Sequence, residues 1–144
     1  MAQSGGRSSL ENSDIIAETK SISGRRIEQE RRQRNISQAK LGSKAALSTA
    51  WIRQLESGYA RVALEAHFAC VDVLGLSLLV IFIPLLFLAH GRYFPAHLLF
   101  TDLRRLEVAL IDFIVNWNVA QVQVALSGSR ADEVNVGTGE EVSR

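Results

Sequence analysis

Four side chains set close together offer the clearest chemistry in this sequence: Thr49, Ala50, Arg53 and Gln54. If the chain is helical here, Ile52 and Leu55 take the inward face and leave these four pointing out. No acidic residue precedes Glu56 on that helix. A short exposed helix carrying small, amide and cationic side chains suits the major groove of DNA.

Such a helix needs a scaffold, and the flanking sequence supplies one. Ser37 to Gly58 reads as two short helices joined by a tight turn. Ser37 and Ser48 are candidate N-caps, because a hydroxyl accepts one of the orphan amides at a helix start. Leu41 and Ala45, four apart, give the first helix an inward face. Ala46-Leu47 closes the corner, and Gly58 ends the second helix.

With these residues in place, the segment resembles the helix-turn-helix of the phage Cro and repressor class, the xenobiotic-response-element (XRE) family. The likeness runs from Arg25 through Leu76, about a third of the chain. It comprises an Arg-rich first helix, Ser-Gln opening the second, Leu then a small residue, Ser before an aromatic and Ile, Leu-Glu-Ser-Gly, and the closing Val73-Leu74-Gly75-Leu76-Ser77-Leu78. Two positions depart from the pattern. Ala46 stands where the family usually has a turn glycine, so a corner that is strained or uses another geometry is expected. Gly42 stands where the family prefers Ala, which costs about 1 kcal/mol of helix propensity but preserves a close helix approach.

The resemblance implies an all-α, lambda-repressor-like domain and a set of DNA contacts. Gln38 would meet a phosphate and buttress the recognition helix, which Ser48 heads. Thr49, Ala50 and Gln54 would read base edges, Gln54 pairing with adenine and the methyls meeting thymine. Arg53 would reach a base or a phosphate. Trp51 would lie against sugar-phosphate or simply pack. Arg61, with Tyr59 beside it, would clamp a phosphate, and Arg25 and Arg26 would add backbone contacts.

Charge distribution agrees with this reading better than net charge does. The 144 residues sum to only +1. From Gly24 to Arg61, however, nine cations face three acids, so that segment carries +6 and the remainder −5. Phosphate binding needs local rather than average positive charge. The plainer alternative is a solvated helix face on which Glu28 and Glu30 partner the Arg25-Arg26 and Arg31-Arg32 pairs.

Outside this segment the sequence reads as follows. Residues 1–20 are Ser-, Gly- and charge-rich and are expected to form a flexible arm, Asp14 to Lys20 reaching a turn of helix at most. Residues 21–77 make the DNA-binding domain, its first helix running Gly24 to Arg34 and its fourth Arg61 to Leu74. Residues 78–126 are an apolar dimerisation region, and 127–144 a disordered tail. Val73 to Ala89 holds no charge in seventeen positions. As a helix it would span about 25 Å, short of the roughly 30 Å of a bilayer core, and Pro84 interrupts it. The run is therefore expected to be a strand or short helix buried against a partner copy; the β-branched and aromatic content of 78–83 suits a strand, and relatives resembling HipB-type antitoxins pair such a strand across a dimer. Leu99, Leu103, Leu106, Leu110, Phe113, Trp117, Ala120 and Val124 step by four and three, a heptad seam for a dimerisation helix, the alternative being a core helix folded back on the domain. Ser127-Gly128 marks its expected end.

Catalysis and cofactors find little support. Glu65 and Asp72 lie seven apart on one helix face, as solvent-side charges do. His67 and Cys70 give two ligands at helical spacing, too few for a metal site. One cysteine permits no internal disulfide, and no signal peptide is evident. The expected protein is a cytoplasmic homodimeric repressor without cofactor, binding a palindromic operator. An antitoxin-type interaction module with a protein partner is the first alternative and a membrane-tethered regulator the second. The self-cleaving Ser-Lys domain of larger phage repressors is missing, so autoproteolytic induction is not expected.

Overall fold

Residues 9–136 are described by the computed structural model of the chain. They form α1 (Ser9–Gln33), α2 (Gln38–Ala45), α3 (Thr49–Glu56), α4 (Leu64–Val73), α5 (Leu79–Ala89), a short 3-10 helix (Ala96–Phe100) and α6 (Leu103–Val136), with no strand among them. Local chemistry sets many of these boundaries. Ser37 Oγ accepts from the Lys40 amide at 3.0 Å and Ser48 Oγ from the Trp51 amide at 3.1 Å, capping α2 and α3 as the sequence suggests. Helices α1 to α5 each end at a residue of positive φ: Asn35, Ala46, Gly58, Gly75 and Gly91 in turn. Only Ala46 among them pays the steric penalty of a Cβ without the local hydrogen bonding that suits Asn. The expected strain at the corner is therefore present, with φ 57° and ψ 39°.

The chain divides into two compact units, residues 1–103 and 104–144. In the first, α1 packs on α3, α4 and α5, while α2 packs on α3 and α4. Ile27, Leu41, Ile52, Leu55, Val62, Val71 and Leu74 are buried at its centre. A second cluster gathers Leu79, Val80, Phe94, Leu99 and Leu103, with Ile22 and Phe87 against it. In the second unit, the apolar side chains of α6 between Leu106 and Leu126 are exposed.

Five expectations need correction. The arm is not irregular throughout: α1 begins at Ser9, so residues 9–20 are helical, while 1–8 lie outside the described residues. Hydrophobic periodicity misses this extension because two of its inward positions, Thr19 and Ser23, are polar yet buried. Gly24 is not a helix start but sits inside α1. A Cβ there would lie well within van der Waals distance of the Leu55 carbonyl, so the α1 and α3 backbones meet directly. The run 78–83 forms no strand; of the two forms expected it takes the helical one, Leu78 preceding α5 and residues 79–83 lying in it, and α5 carries Pro84 in its middle and buries Leu79, Val80, Ile81 and Pro84. Residues 78–103 belong to the first unit, and Leu99 lies in the 3-10 helix, not in the long helix. Leu99 and Leu103 are core residues, each 5% exposed, so Leu106, Leu110, Phe113, Trp117, Ala120 and Val124 of the named seam remain on the surface. Finally, α6 passes through Ser127 and Gly128 to Val136, so residues 127–136 are helix rather than tail. Gly128 keeps a helical φ and no proline follows, so nothing there forces a stop.

Candidate nucleic-acid interface

The outward face of α3 is built from its inward face. Ile52 and Leu55 are fully buried. At 3.6 residues per turn this places Thr49, Ala50, Arg53 and Gln54 outside, and all four are exposed. Ser48, exposed itself, spends its hydroxyl on the cap. Trp51 is half-buried and packs against the central core.

The corner that presents α3 depends on Gly42. A Cβ on Gly42 would lie 2.5 Å from the Leu47 carbonyl oxygen and 3.3 Å from Ile52 Cγ1. The close approach expected at this position is thus real. Ala46 takes up the left-handed conformation at the corner itself.

A buried ionic network, not signalled by spacing, fixes the three helices to one another. Arg31 of α1 donates through Nε and Nη2 to Glu56 of α3 at 2.5 and 3.1 Å. Gln38 Nε2 of α2 donates to the same carboxylate at 2.8 Å, and Arg31 Nη1 donates to the Ile36 carbonyl at 2.8 Å. Hydrogen bonding to Glu56 outweighs burial and raises the Arg31 pKa, so the guanidinium stays charged. Gln38 thus links α2 to α3, with its amide turned to Glu56. The available signal was the pairing of Arg31 with Glu56 across 25 residues, which a single sequence does not expose.

Ion pairing sorts the cations into two sets. Arg26 and Arg34 pair with Glu30, Arg32 with Glu28, and Arg31 with Glu56. Burial alone would raise the Glu30 pKa, but hydrogen bonds from Arg26 and Arg34 hold it below the usual carboxylate range. All three acids of the segment are thereby engaged. Arg25, Lys40, Lys44, Arg53 and Arg61 form no ion pair among the described residues, and all five are exposed. The plainer reading of the arginine run is thus right for Arg32, while Arg26 goes further. It is half-buried, donates to the Leu99 carbonyl at 3.0 Å and stacks over the Phe100 ring at 5.6 Å, which makes it a poor phosphate ligand. Arg25 keeps only a 3.3 Å bond to Ser21 Oγ. Near Arg61, Lys20 Nζ donates to the Ala60 carbonyl at 2.7 Å and ties the loop after α3 to α1.

His67 and Cys70 are buried and do not join a cluster able to hold a metal among the described residues. His67 Nδ1 lies 2.9 Å from Ser23 Oγ, while Nε2 has no partner. Burial first, then the Lys20 charge, lowers the His67 pKa to about 4, so the ring is neutral near pH 7. Burial first, then Glu56, lifts the Cys70 thiol to about 11, well away from a reactive thiolate. Glu65 and Asp72 are exposed. Against known proteins, no family model, curated protein or solved structure matches the chain.

Proposed function

We propose that this protein is a sequence-specific DNA-binding transcriptional regulator, a homodimeric repressor whose α2–α3 pair acts as a lambda-repressor-like helix-turn-helix. The observation that carries the reading is the α3 face. Thr49, Ala50, Arg53 and Gln54 are exposed together, while Glu28, Glu30 and Glu56, the acids of the segment, are each paired with an arginine. With α3 in the major groove, Gln54 pairs with an adenine edge and the Thr49 and Ala50 methyls meet thymine. Arg25, Lys40, Lys44, Arg53 and Arg61 supply positive charge for phosphates. The exposed seam Leu106, Leu110, Phe113 and Trp117 pairs two chains, so two α3 helices address half-sites about 34 Å apart in a palindromic operator. No cofactor is required.

The test is selection of bound duplexes from a random pool, followed by titration. A preferred site should emerge whose affinity falls steeply with salt. Gln54→Ala should relax preference at one base position at a cost of about 1–3 kcal/mol, whereas Arg61→Ala should weaken all sites alike. A chain showing no preference among duplexes, or binding indifferent to salt, refutes the proposal.

A second reading draws on α6. Its apolar side chains are exposed over several turns, which also fits an antitoxin-type module that covers a protein partner and binds DNA to regulate its own operon. Stable dimers of the pure chain count against it. As for membrane tethering, α5 is short and packed into the core, and Leu103–Arg130 is the stretch of described helix long and apolar enough to cross a bilayer. Asp112 in its middle costs about 2.5–3.5 kcal/mol in hydrocarbon, as much as several apolar residues return, and Asn116, Asn118, Gln121 and Gln123 add to that. Pairing with a second α6 is the better use of this helix.

A further inference from the structure

We propose that the groove between α1 and the Tyr93–Phe100 segment is a binding site for a small amphipathic carboxylate. The groove encloses about 450 Å³, within the roughly 300–1,000 Å³ typical of small-molecule sites. Ile22, Phe94 and Leu99 supply apolar floor, and the Phe100 ring a wall. The α1 side carries two guanidinium groups, Arg25 and Arg26, against one acid, Glu18.

The two arginines play different parts. Arg26 is committed: Nε to the Leu99 carbonyl, Nη1 to Glu30, and its plane near the Phe100 ring. It holds the wall in place. Arg25 is exposed and forms no ion pair among the described residues, and its Nη2 bond to Ser21 is long at 3.3 Å. Its donor fork is free for the bidentate geometry that suits a carboxylate. An acid head at Arg25 with an apolar body laid toward Phe94 and Leu99 satisfies both halves of the groove. A neutral ligand leaves the guanidinium unused. Where the DNA reading holds, a carboxylate on Arg25 also removes a phosphate contact, so ligand and operator oppose each other. Binding of the ligand itself does not depend on that reading.

The experiment is calorimetry on the full chain without DNA, titrating 4-butylbenzoate and its neutral counterpart 4-butylbenzamide. The benzoate should bind saturably with one site per chain and at least tenfold more tightly than the amide. Arg25→Gln should weaken the benzoate at least tenfold and leave the amide unchanged. Ala96→Trp, which fills the groove from an exposed position, should abolish both, with thermal unfolding confirming that each variant is folded. The proposal is overturned if the benzoate does not bind, if the amide binds equally well, or if either folded variant keeps the original benzoate affinity. Because no DNA is present, failure here leaves the operator question to its own test.

Discussion

Leu55 and Leu110 are the same side chain on helices with the same three-and-four apolar spacing, yet α3 buries the first completely while α6 leaves the second 41% exposed. The α3 region has neighbours that complete it: the α1 backbone at Gly24, the Arg31–Glu56–Gln38 network, and a left-handed corner at Ala46. For α6, the seam is written in the sequence and its apolar side chains between Leu106 and Leu126 are exposed. Amphipathic spacing thus specifies that a face must be buried. It does not specify whether the burial is within one chain or between two.

The contrast is open to attack at several points. Glu56→Ala leaves the Arg31 guanidinium buried without its partner and should destabilise the first unit by about 3–5 kcal/mol, read by denaturant unfolding. An effect under 1 kcal/mol would mean that the network does not hold α3. His67 provides a pH handle on the same unit. Its folded pKa of about 4 lies below the ordinary value of 6.5, so the unfolded chain binds the extra proton between them. Stability is then fully present above pH 6.5 and falls as pH drops toward 4, by at most about 1.4 kcal/mol per pH unit for one proton. His67→Leu should remove that slope. Next in size, Gly42→Ala should cost about 1–3 kcal/mol because its methyl meets the Leu47 carbonyl. The reverse change at the corner, Ala46→Gly, should raise stability by up to about 1 kcal/mol. The smallest effect belongs to α6: in dilute monomer, Leu110→Ala should shift unfolding by less than about 0.5 kcal/mol. Where the proposed dimer forms, the same change should weaken association instead, by sedimentation.

The same comparison shows where sequence reasoning reaches. Helices α2 and α3 were legible almost to the residue, because Ser37, Ser48 and Gly58 act through hydrogen bonds and dihedrals only a few positions away. The outward set of α3 followed from Ile52 and Leu55 alone. The start of α1 was hidden because Thr19 and Ser23 are buried as hydrogen-bonded polar groups, Thr19 to the Ile15 carbonyl and Ser23 to His67. At α5 the sequence leaves strand and short helix both open, because β-branched propensity is a weak guide where packing against α1 decides the outcome, and because a proline in the middle of a short helix removes only one ladder bond. The Arg26 anchor depends on a partner 73 residues away and left no local trace.

Position 24 carries one more implication. Since only a hydrogen atom fits between α1 and the last turn of α3, the tilt of α3 is set by two main chains in contact and not by the sizes of interior side chains. Conservative exchanges at Ile27, Ile52 or Val71 should therefore leave the aim of α3 intact. In a saturation library screened for folded protein, residue 24 should tolerate almost no letter but its own.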